Sequence, residues 1–485
     1  MAQSHNLARL AEETLERNGD YDSLWFEGTW HRSGELFERA QRVAAGLVEL
    51  GVKPGDRVVV YAMNSPEVPL VYNAIWRAGG VVTPVIFLLP RAELGHVLSD
   101  SEPSLVVASP ELADAVEGVR MVTMDELPEA DPAPIVPRAD DDLAALMYTG
   151  GTTGRAKGVM LSHANLWRAG KAGQEAGHIP EITRGLSALP LSHAYGLLVT
   201  VVGLHSPEPS VSVLMRWFDP ELFLQLLQEH AIQITAVVPS MLQLLRAQPL
   251  EEYDLSSLRY VVSGAAPLAR EVVDELARRL PHVELREGYG LTETSAIVSS
   301  NPPGRVRIGS VGLPVPGVDV RILDEEDREL PRGEVGEIGC RSTTVMQGYW
   351  REPELTQEVM RNGWLHTGDL GRLDEDGYLY IVDRKKDLII RGGFNVFPRD
   401  VEDALLEHPA VSAAGVVGRP DERYGEEVVA FVSLRDGAGT SADELVAFAK
   451  ERIGGYRYPR EVRIVPDVPL TTVGKVDRKS LRAML

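Results

Sequence analysis

Cysteine is almost absent from this sequence: Cys340 is the only one among 485 residues. A single thiol excludes an intrachain disulfide framework and any metal centre built on several thiolates. Chains without disulfides are typical of a reducing compartment, so we expect a cytoplasmic location.

Long apolar runs and positive charge are also scarce. No apolar run approaches the roughly 20 residues of a membrane span, and the opening stretch MAQSHNLARLAEETLERNGD lacks the apolar segment of a secretion signal. We therefore expect no integral membrane contact. Lysine and arginine number 49 against 71 aspartates and glutamates, a net charge of −22. Such a chain does not attract nucleic acid, and any anionic ligand must be met by local cations.

Short apolar segments that alternate with amphipathic helical patterns dominate the first 300 residues or so. The segment LRYVVSGAA, for example, precedes REVVDELARRL, which has apolar residues at helical spacing. This alternation predicts an α/β fold with parallel sheets covered on both faces, and ligands at the carboxyl ends of the strands. At roughly 100 to 200 residues per domain, the length allows two to four compact units.

The pattern changes after about Ser310. Short strands separated by Pro and Gly turns predict a small antiparallel barrel or sheet, and the last hundred or so residues predict a small α+β domain. A surface linker is expected at Asp131 to Asp142, where Pro and Asp are frequent.

The stretch YTGGTTGRAKG, Tyr148 to Gly158, combines glycines, threonine hydroxyls and two cations. Glycine lets backbone N–H groups converge on an anion, so the stretch is a candidate phosphate cradle. It differs from the pattern G-x-x-x-x-G-K-[ST], because Ala156 precedes Lys157 and Gly158 follows it. On these residues alone, a plain glycine-rich turn is an equally good interpretation.

Six further stretches follow in order: PLSHAYG, SGAAPL, GYGLTETS, WLHTGDLG, DRKKDLIIRGGFNVFP and PLTTVGKVDR. Each is a weak signal alone. Together with the cradle, in this order and spacing, they resemble the ANL superfamily of adenylate-forming enzymes, in particular the AMP-forming acyl-CoA and aryl-CoA synthetases. The resemblance covers nearly the whole chain. It implies a large adenylation domain at 1–384, made of two parallel α/β subdomains and a barrel-like subdomain, and a mobile α+β domain at 385–485 with a hinge near Lys386.

The resemblance implies a two-step reaction. A carboxylate attacks the α-phosphorus of ATP, with Mg²⁺ present, and releases pyrophosphate; the thiol of coenzyme A then displaces AMP from the acyl-adenylate. We expect the acid to be fatty or aromatic, resembling benzoate or cinnamate, and a homodimer is one possible assembly. The alternatives are transfer to an amine or a carrier-protein thiol, phosphoryl transfer as in a P-loop NTPase, and a non-catalytic ligand binder.

Roles carry over to the residues that match the motifs. Lys475 resembles the cation that stabilises the adenylation transition state, Glu293 the Mg²⁺ ligand, Thr292 the α-phosphate contact, and His193 the gate between acid and thiol. The implied ATP and AMP contacts are Thr149, Gly150, Gly151, Thr152, Thr153, Gly154, Lys157, Gly264, Ala265, Ala266, Tyr289, Gly290, Thr292, Asp369, Arg384 and Lys475. The family commonly has Ser at Gly150 and Pro at Ala156, so we expect altered ATP affinity.

The acyl pocket and the thioester step are implied in the same way. Residues expected to face the acid are Tyr195, Val199, Gly288, Gly290 and Ile297. They include no cation, which disfavours a dicarboxylate or amino-acid substrate, because a buried second charge needs a partner. Gly392, Gly393 and Asn395 match the segment that serves the thiol, although paired glycines also occur in ordinary turns. Ile390 replaces a lysine of the plant-type ligases, which leaves the second step less well supported than the first.

Overall fold

A computed structural model describes residues 5–149, 155–435, 437–471 and 475–485. The helices within these residues are α1 Leu7–Asn18, α2 Ser33–Glu49, α3 Glu67–Arg77, α4 Arg91–Ser101, α5 His163–Gly177, α6 Ala194–Leu204, α7 Pro220–Glu229, α8 Pro239–Arg246, α9 Arg270–Arg279, α10 Pro353–Val359, α11 Pro398–Leu406, α12 Ala442–Ile453 and α13 Arg478–Ala483.

The strands within the same residues are β1 Asp22–Phe26, β2 Thr29–Arg32, β3 Arg57–Ala62, β4 Val81–Ile86, β5 Leu105–Ala108, β6 Met121–Thr123, β7 Leu143–Thr149, β8 Lys157–Ser162, β9 Arg184–Ser187, β10 Val211–Leu214, β11 Ile234–Val237, β12 Tyr260–Ser263, β13 Glu284–Tyr289, β14 Ser299–Ser300, β15 Leu313–Pro314, β16 Val318–Leu323, β17 Gly336–Ser342, β18 Gly348–Tyr349, β19 Met360–Arg361, β20 Trp364–Leu373, β21 Leu379–Arg384, β22 Ile389–Arg391, β23 Phe394–Val396, β24 Val411–Asp421, β25 Gly425–Leu434 and β26 Glu461–Ile464.

Two large sheets form the first part of the molecule. One has the strand order β18-β8-β7-β4-β3-β5-β6, and the other β15-β14-β13-β12-β11-β9-β10-β1-β2. The pairs β3–β4, β3–β5, β9–β10, β11–β12 and β12–β13 are parallel. Strand β3 carries RVVVYA, five of whose six residues are buried, as expected for a strand covered on both faces. The predicted parallel α/β fold is confirmed.

Two smaller sheets follow. Strands β16, β17, β19, β20 and β21 form an antiparallel sheet, and β22 to β26 form the sheet of the C-terminal region, against which α11 and α12 pack. The large N-terminal and small C-terminal domains agree with the expected architecture. Strand β21 ends at Arg384 and β22 begins at Ile389, so the boundary expected after residue 384 falls in the short connection between these two sheets, where it stays a prediction.

Asn64 joins the two large sheets. It follows β3, is 2% exposed, and its amide nitrogen donates to the carbonyl oxygens of Leu189 at 2.9 Å and Met215 at 3.0 Å. Its amide oxygen accepts from the backbone nitrogen of Leu191 at 2.8 Å. A fully bonded buried amide fixes the relative position of the elements that it connects. Here it holds β3 against the segment that leads to His193.

Cys340 lies in β17 and is completely buried. Burial raises the pKa of its thiol to about 12, with a smaller contribution from Asp319. Within the described part of the chain, none of the helices combines the length and the apolar character needed to cross a bilayer.

Stability should fall in mild acid because of His163, which is fully buried in α5. Burial, followed by the charge of Arg138, lowers the pKa of its imidazole to about 4. In the unfolded chain this imidazole binds a proton at about pH 6.5, whereas in the folded chain it does so only at about pH 4. The free energy of unfolding therefore decreases as pH falls from about 6.5 to about 4. Between pH 7 and pH 5, the unfolding free energy of His163→Gln should therefore decrease by about 2 kcal/mol less than that of the wild type.

Urea unfolding followed by tryptophan fluorescence at the two pH values measures this effect. The control is His178→Gln, because His178 is exposed at the end of the same helix. An unchanged pH dependence in the His163 variant would contradict the prediction.

Candidate active site

A cavity of about 1410 Å³ lies at the carboxyl ends of β12 and β13 and receives side chains from the C-terminal region. The residues predicted from sequence that line it are Thr149, Lys157, His193, Tyr195, Val199, Gly264, Ala265, Ala266, Gly288, Tyr289, Gly290, Thr292, Glu293, Ile297, Asp369, Arg384, Lys386 and Lys475. Residues separated by more than 300 positions therefore meet in one place.

The two flanks of the glycine-rich stretch are strand ends. Thr149 ends β7, Lys157 begins β8, and the two residues pair in antiparallel register. Gly150, Gly151, Thr152, Thr153 and Gly154 lie outside the described residues. Next to the stretch, the carbonyl oxygen of Ala156 lies 2.9 Å from a ring nitrogen of His96.

Tyr349 lies next to both a cation and a carboxylate that line the cavity. The Lys157 ammonium lies 5.6 Å from the centre of the Tyr349 ring, and the Tyr349 hydroxyl donates to Glu293 Oε1 at 2.8 Å. Opposite charges next to one ring suit a ligand that carries both phosphate and a bound cation. Among the described residues, no group of three or more His, Cys, Asp or Glu side chains could hold a metal ion by itself.

The turn after β13 presents Thr292 and Glu293. Its backbone closes a single 3-10 turn, Thr292–Thr294, after Leu291, whose backbone nitrogen donates to Thr294 Oγ1 at 3.0 Å. Gly290 is required here, because a Cβ atom at this position would lie 2.2 Å from the carbonyl oxygen of Ala296. The tight turn brings Thr292 and Glu293 to the cavity, which both residues line.

Asp369 is buried in β20 and has two partners. The Tyr289 hydroxyl donates to Asp369 Oδ2 at 2.7 Å, and Arg384 Nε lies 3.4 Å from Oδ1. Asp369 and Arg384 are paired in the register of β20 and β21, so the sheet itself places them together. Burial and the Asp369 charge raise the pKa of Tyr289 well above its usual range, which keeps this hydroxyl a hydrogen-bond donor.

Lys475 reaches the same cavity from the C-terminal tail. Its backbone is held by Thr471, whose nitrogen donates to the Lys475 carbonyl oxygen at 2.7 Å. Burial and the nearby Arg384 lower the pKa of the Lys475 ammonium to about 8, and the charges of Asp369 and Glu293 oppose the decrease. Burial and Arg384 also lower the pKa of Lys386 to about 8. The cations Lys475, Arg384 and Lys386 and the carboxylates Asp369 and Glu293 thus all line this cavity.

His193 caps the N-terminus of α6. Its Nδ1 accepts from the backbone nitrogen of Tyr195 at 3.2 Å, and burial together with the Lys475 charge lowers its pKa to about 4. The ring is neutral at pH 7, and because Nδ1 is an acceptor, the proton lies on Nε2.

Two of the residues expected to face the acid, Tyr195 and Ile297, each lie beside a glycine. A Cβ atom on Gly264 would lie 3.3 Å from the Tyr195 ring, and one on Gly173 would lie 3.5 Å from Ile297. The expectation that the acid meets no cation counted only five residues and stays a prediction. The same cavity is also lined by a cation outside those five, Arg286. The alternation of side chains along β13, which places Arg286 on the face of Gly288, could have revealed it.

Gly392, Gly393 and Asn395 do not line the cavity. The two glycines form the turn between β22 and β23 with φ angles of +60° and +82°, a left-handed pair that suits a two-residue hairpin. All three residues are exposed. In this arrangement Lys475 is at the cavity and the hairpin is not.

A nucleotide-sized cleft at the carboxyl ends of parallel strands, closed by a small α+β domain, defines a nucleotide-using α/β enzyme. The chain belongs to the AMP-binding enzyme family, which matches residues 11–350, while the C-terminal domain of that family matches 400–475. This confirms the resemblance found in the sequence.

Individual relatives agree. The chain is 38% identical to a feruloyl-CoA synthase from Amycolatopsis sp, with 94% of each chain covered. It is 34% identical to a long-chain-fatty-acid–CoA ligase of Bacillus subtilis (strain 168), covering 98% of this chain and 94% of the relative. The ATP-bound crystal structure of MatB from Rhodopseudomonas palustris is similar at a TM-score of 0.91 and 33% identity, covering 99% of both chains.

Proposed function

We propose that this protein is an ATP-dependent, AMP-forming carboxylic acid:CoA ligase that acts through an acyl-adenylate on a fatty or aromatic acid. One observation carries the proposal: Lys475, Asp369 and Glu293 come from the tail, the antiparallel sheet and the turn after β13, and line one cavity. The relatives named for feruloyl-CoA and long-chain fatty acyl-CoA formation support both the acid class and coenzyme A as the acceptor.

In the first half-reaction the acid's carboxylate attacks the α-phosphorus of ATP. Asp369 would accept hydrogen bonds from the ribose hydroxyls, because its carboxylate already lies in a fixed orientation between Tyr289 and Arg384. Lys475 would stabilise the negative charge that gathers between carboxylate and α-phosphate. The glycine-rich stretch and Lys157 would hold the departing pyrophosphate.

The donor set fits a magnesium ion held mainly by phosphates. Mg²⁺ in such sites usually takes one or two protein carboxylates together with phosphate oxygens and waters. Glu293 provides a carboxylate that the Tyr349 hydroxyl already orients. When bound, the ion would neutralise charge on the pyrophosphate leaving group.

The thioester step would require a different orientation of the C-terminal region relative to the cavity. The exposed hairpin with Gly392, Gly393 and Asn395 would turn to the cavity about the connection that contains Lys386, in the 3-10 turn Lys385–Asp387. Neutral His193, at the start of α6, would then separate the acid from the incoming thiol. The domain division at residue 384, the cytoplasmic location and a homodimer stay predictions from the sequence.

The test measures products with ATP and Mg²⁺ across fatty, benzoic and cinnamic acids, with and without coenzyme A. The proposal expects acid-dependent AMP and pyrophosphate, and a thioester only when coenzyme A is present. AMP formation that ignores coenzyme A would indicate an amine or carrier-protein acceptor instead. ADP in place of AMP would overturn the adenylation itself.

A further inference from the structure

Arg286 is a buried cation without an ion-pair partner within the described part of the chain. It lies in β13, is 2% exposed, and lines the cavity. Its Nε donates to the carbonyl oxygen of Asn301 at 3.1 Å, which is the only hydrogen bond it makes within the described part of the chain. Its Nη1 is buried without any hydrogen-bond partner there. A buried charge is costly unless an acceptor meets it.

Burial lowers the pKa of Arg286, and the nearby Glu284 charge opposes the decrease without forming an ion pair. Glu284, two residues earlier on the same face of β13, instead accepts from the backbone nitrogen of Gly304 at 3.0 Å. Glu287 points to the opposite face, because side chains alternate along a strand. Among the described residues no carboxylate lies within the 4 Å of an ion pair with Arg286, and the Tyr260 ring, 5.8 Å away, offers only a weak cation–π contact.

Arg286 is displaced along β13 from Gly288, which also lines the cavity. Gly288 is two residues further along the strand, which corresponds to roughly 7 Å. A Cβ atom on Gly177, the last residue of α5, would lie 3.7 Å from Arg286 Nη2. Gly173, beside Ile297, is one helical turn nearer to the start of α5, or roughly 6 Å. Arg286 thus reaches across from β13 to the end of α5.

We propose that Arg286 determines acid specificity by donating to an oxygen atom at the end of the acid remote from the reacting carboxylate. The preferred substrates are then oxygenated aryl acids, whose distal oxygen is a phenolic hydroxyl or a second carboxylate. This inference rests on the proposed function. An uncharged pocket would instead prefer acids without a distal oxygen. In such a pocket the oxygen loses its hydration and makes no hydrogen bond in return.

The test compares kcat/KM for AMP formation with cinnamate, 4-hydroxycinnamate, 4-carboxycinnamate and octanoate. The wild type should prefer at least one oxygenated acid over cinnamate by about tenfold or more, as expected for a hydrogen bond from a charged donor. Preference for the phenol or for the dicarboxylate identifies which oxygen is bound. In Arg286→Met the ratio to cinnamate should fall to about 1, and Arg286→Lys, which keeps the charge, should retain part of it.

Arg286 could instead have only a structural role, as a cation at the C-terminal end of α5. In that case Arg286→Met should lower kcat/KM by the same factor for every acid, and that result would overturn the inference. Arg246→Met is the matched control, because it removes a cation that pairs with Glu271 outside the cavity and should leave the oxygenated-to-cinnamate ratio unchanged. A wild type that uses cinnamate or octanoate as well as both oxygenated acids would also refute it, even if no Arg286 variant folds. Absence of AMP with every acid would instead refute the proposed function.

Discussion

Replacing Lys475 by alanine should lower the rate of acid-dependent AMP formation by about a hundredfold or more. The reason is that a cation held beside the reacting atoms stabilises charge that develops only in the transition state, and one such donor contributes 10²–10³ in rate, roughly. The dissociation constant for ATP, measured by calorimetry, should change by less than about fivefold, since most nucleotide contacts remain. Rapid-quench measurement of AMP separates this step from thioester formation.

The pH dependence gives a second readout. With a pKa of about 8, Lys475 loses its charge as pH rises through that value, so the rate of AMP formation should decline there. Lys475→Arg should move the decline to higher pH, whereas Lys386→Arg should leave it in place. Lys450→Ala, which removes an exposed lysine over the Tyr458 ring, is the control and should behave as wild type. A Lys475→Ala enzyme with normal AMP formation would contradict the assignment.

Replacing Asp369 by asparagine should raise the KM for ATP by roughly 10- to 100-fold. Asparagine has nearly the same shape but no charge, so the pairing with Arg384 is lost and only one oxygen remains to accept hydrogen bonds. Hydrogen bonds to charged groups contribute about 1.5–3 kcal/mol, which corresponds to this range. Because ribose binding is shared by ground and transition states, kcat should change less than KM.

The matched control is Asp376→Asn, in the turn after the same strand β20. Asp376 is 68% exposed and pairs with Arg307, outside the cavity, so the KM for ATP should stay at the wild-type value. If Asp369→Asn kept the wild-type KM for ATP, while a melting curve showed normal folding, Asp369 would have no role in nucleotide binding.

Much of the fold could be predicted because its signals are local. Runs such as RVVVYA and the helical spacing that follows each short strand depend on few residues, and parallel packing follows from their alternation. The ribose candidate Asp369 could also be found, because its motif is contiguous and the register of β20 and β21 supplies Arg384.

The rest depends on contacts between distant segments. Nothing near Asn64 indicates that its amide joins two sheets, since its partners Leu189, Leu191 and Met215 lie more than 120 positions away. Arg286 was missed because a charged residue in a strand is more often solvated, and only the structure shows that it is buried, lines the cavity and has no ion pair among the described residues. The position of the C-terminal hairpin away from the cavity also depends on how domains pack, which local patterns do not encode.

The burial of Cys340 affects how a protein that is proposed to use coenzyme A responds to oxidised coenzyme A. Disulfide exchange requires a thiolate, and with a pKa of about 12 the thiolate fraction at pH 7 is on the order of 10⁻⁵. Coenzyme A disulfides, which accompany any aged stock of the reduced form, therefore find no reactive partner on this chain. The enzyme should tolerate an oxidised coenzyme pool without being trapped as a mixed disulfide, so loss of thioester formation under oxidising conditions would reflect loss of the substrate thiol alone.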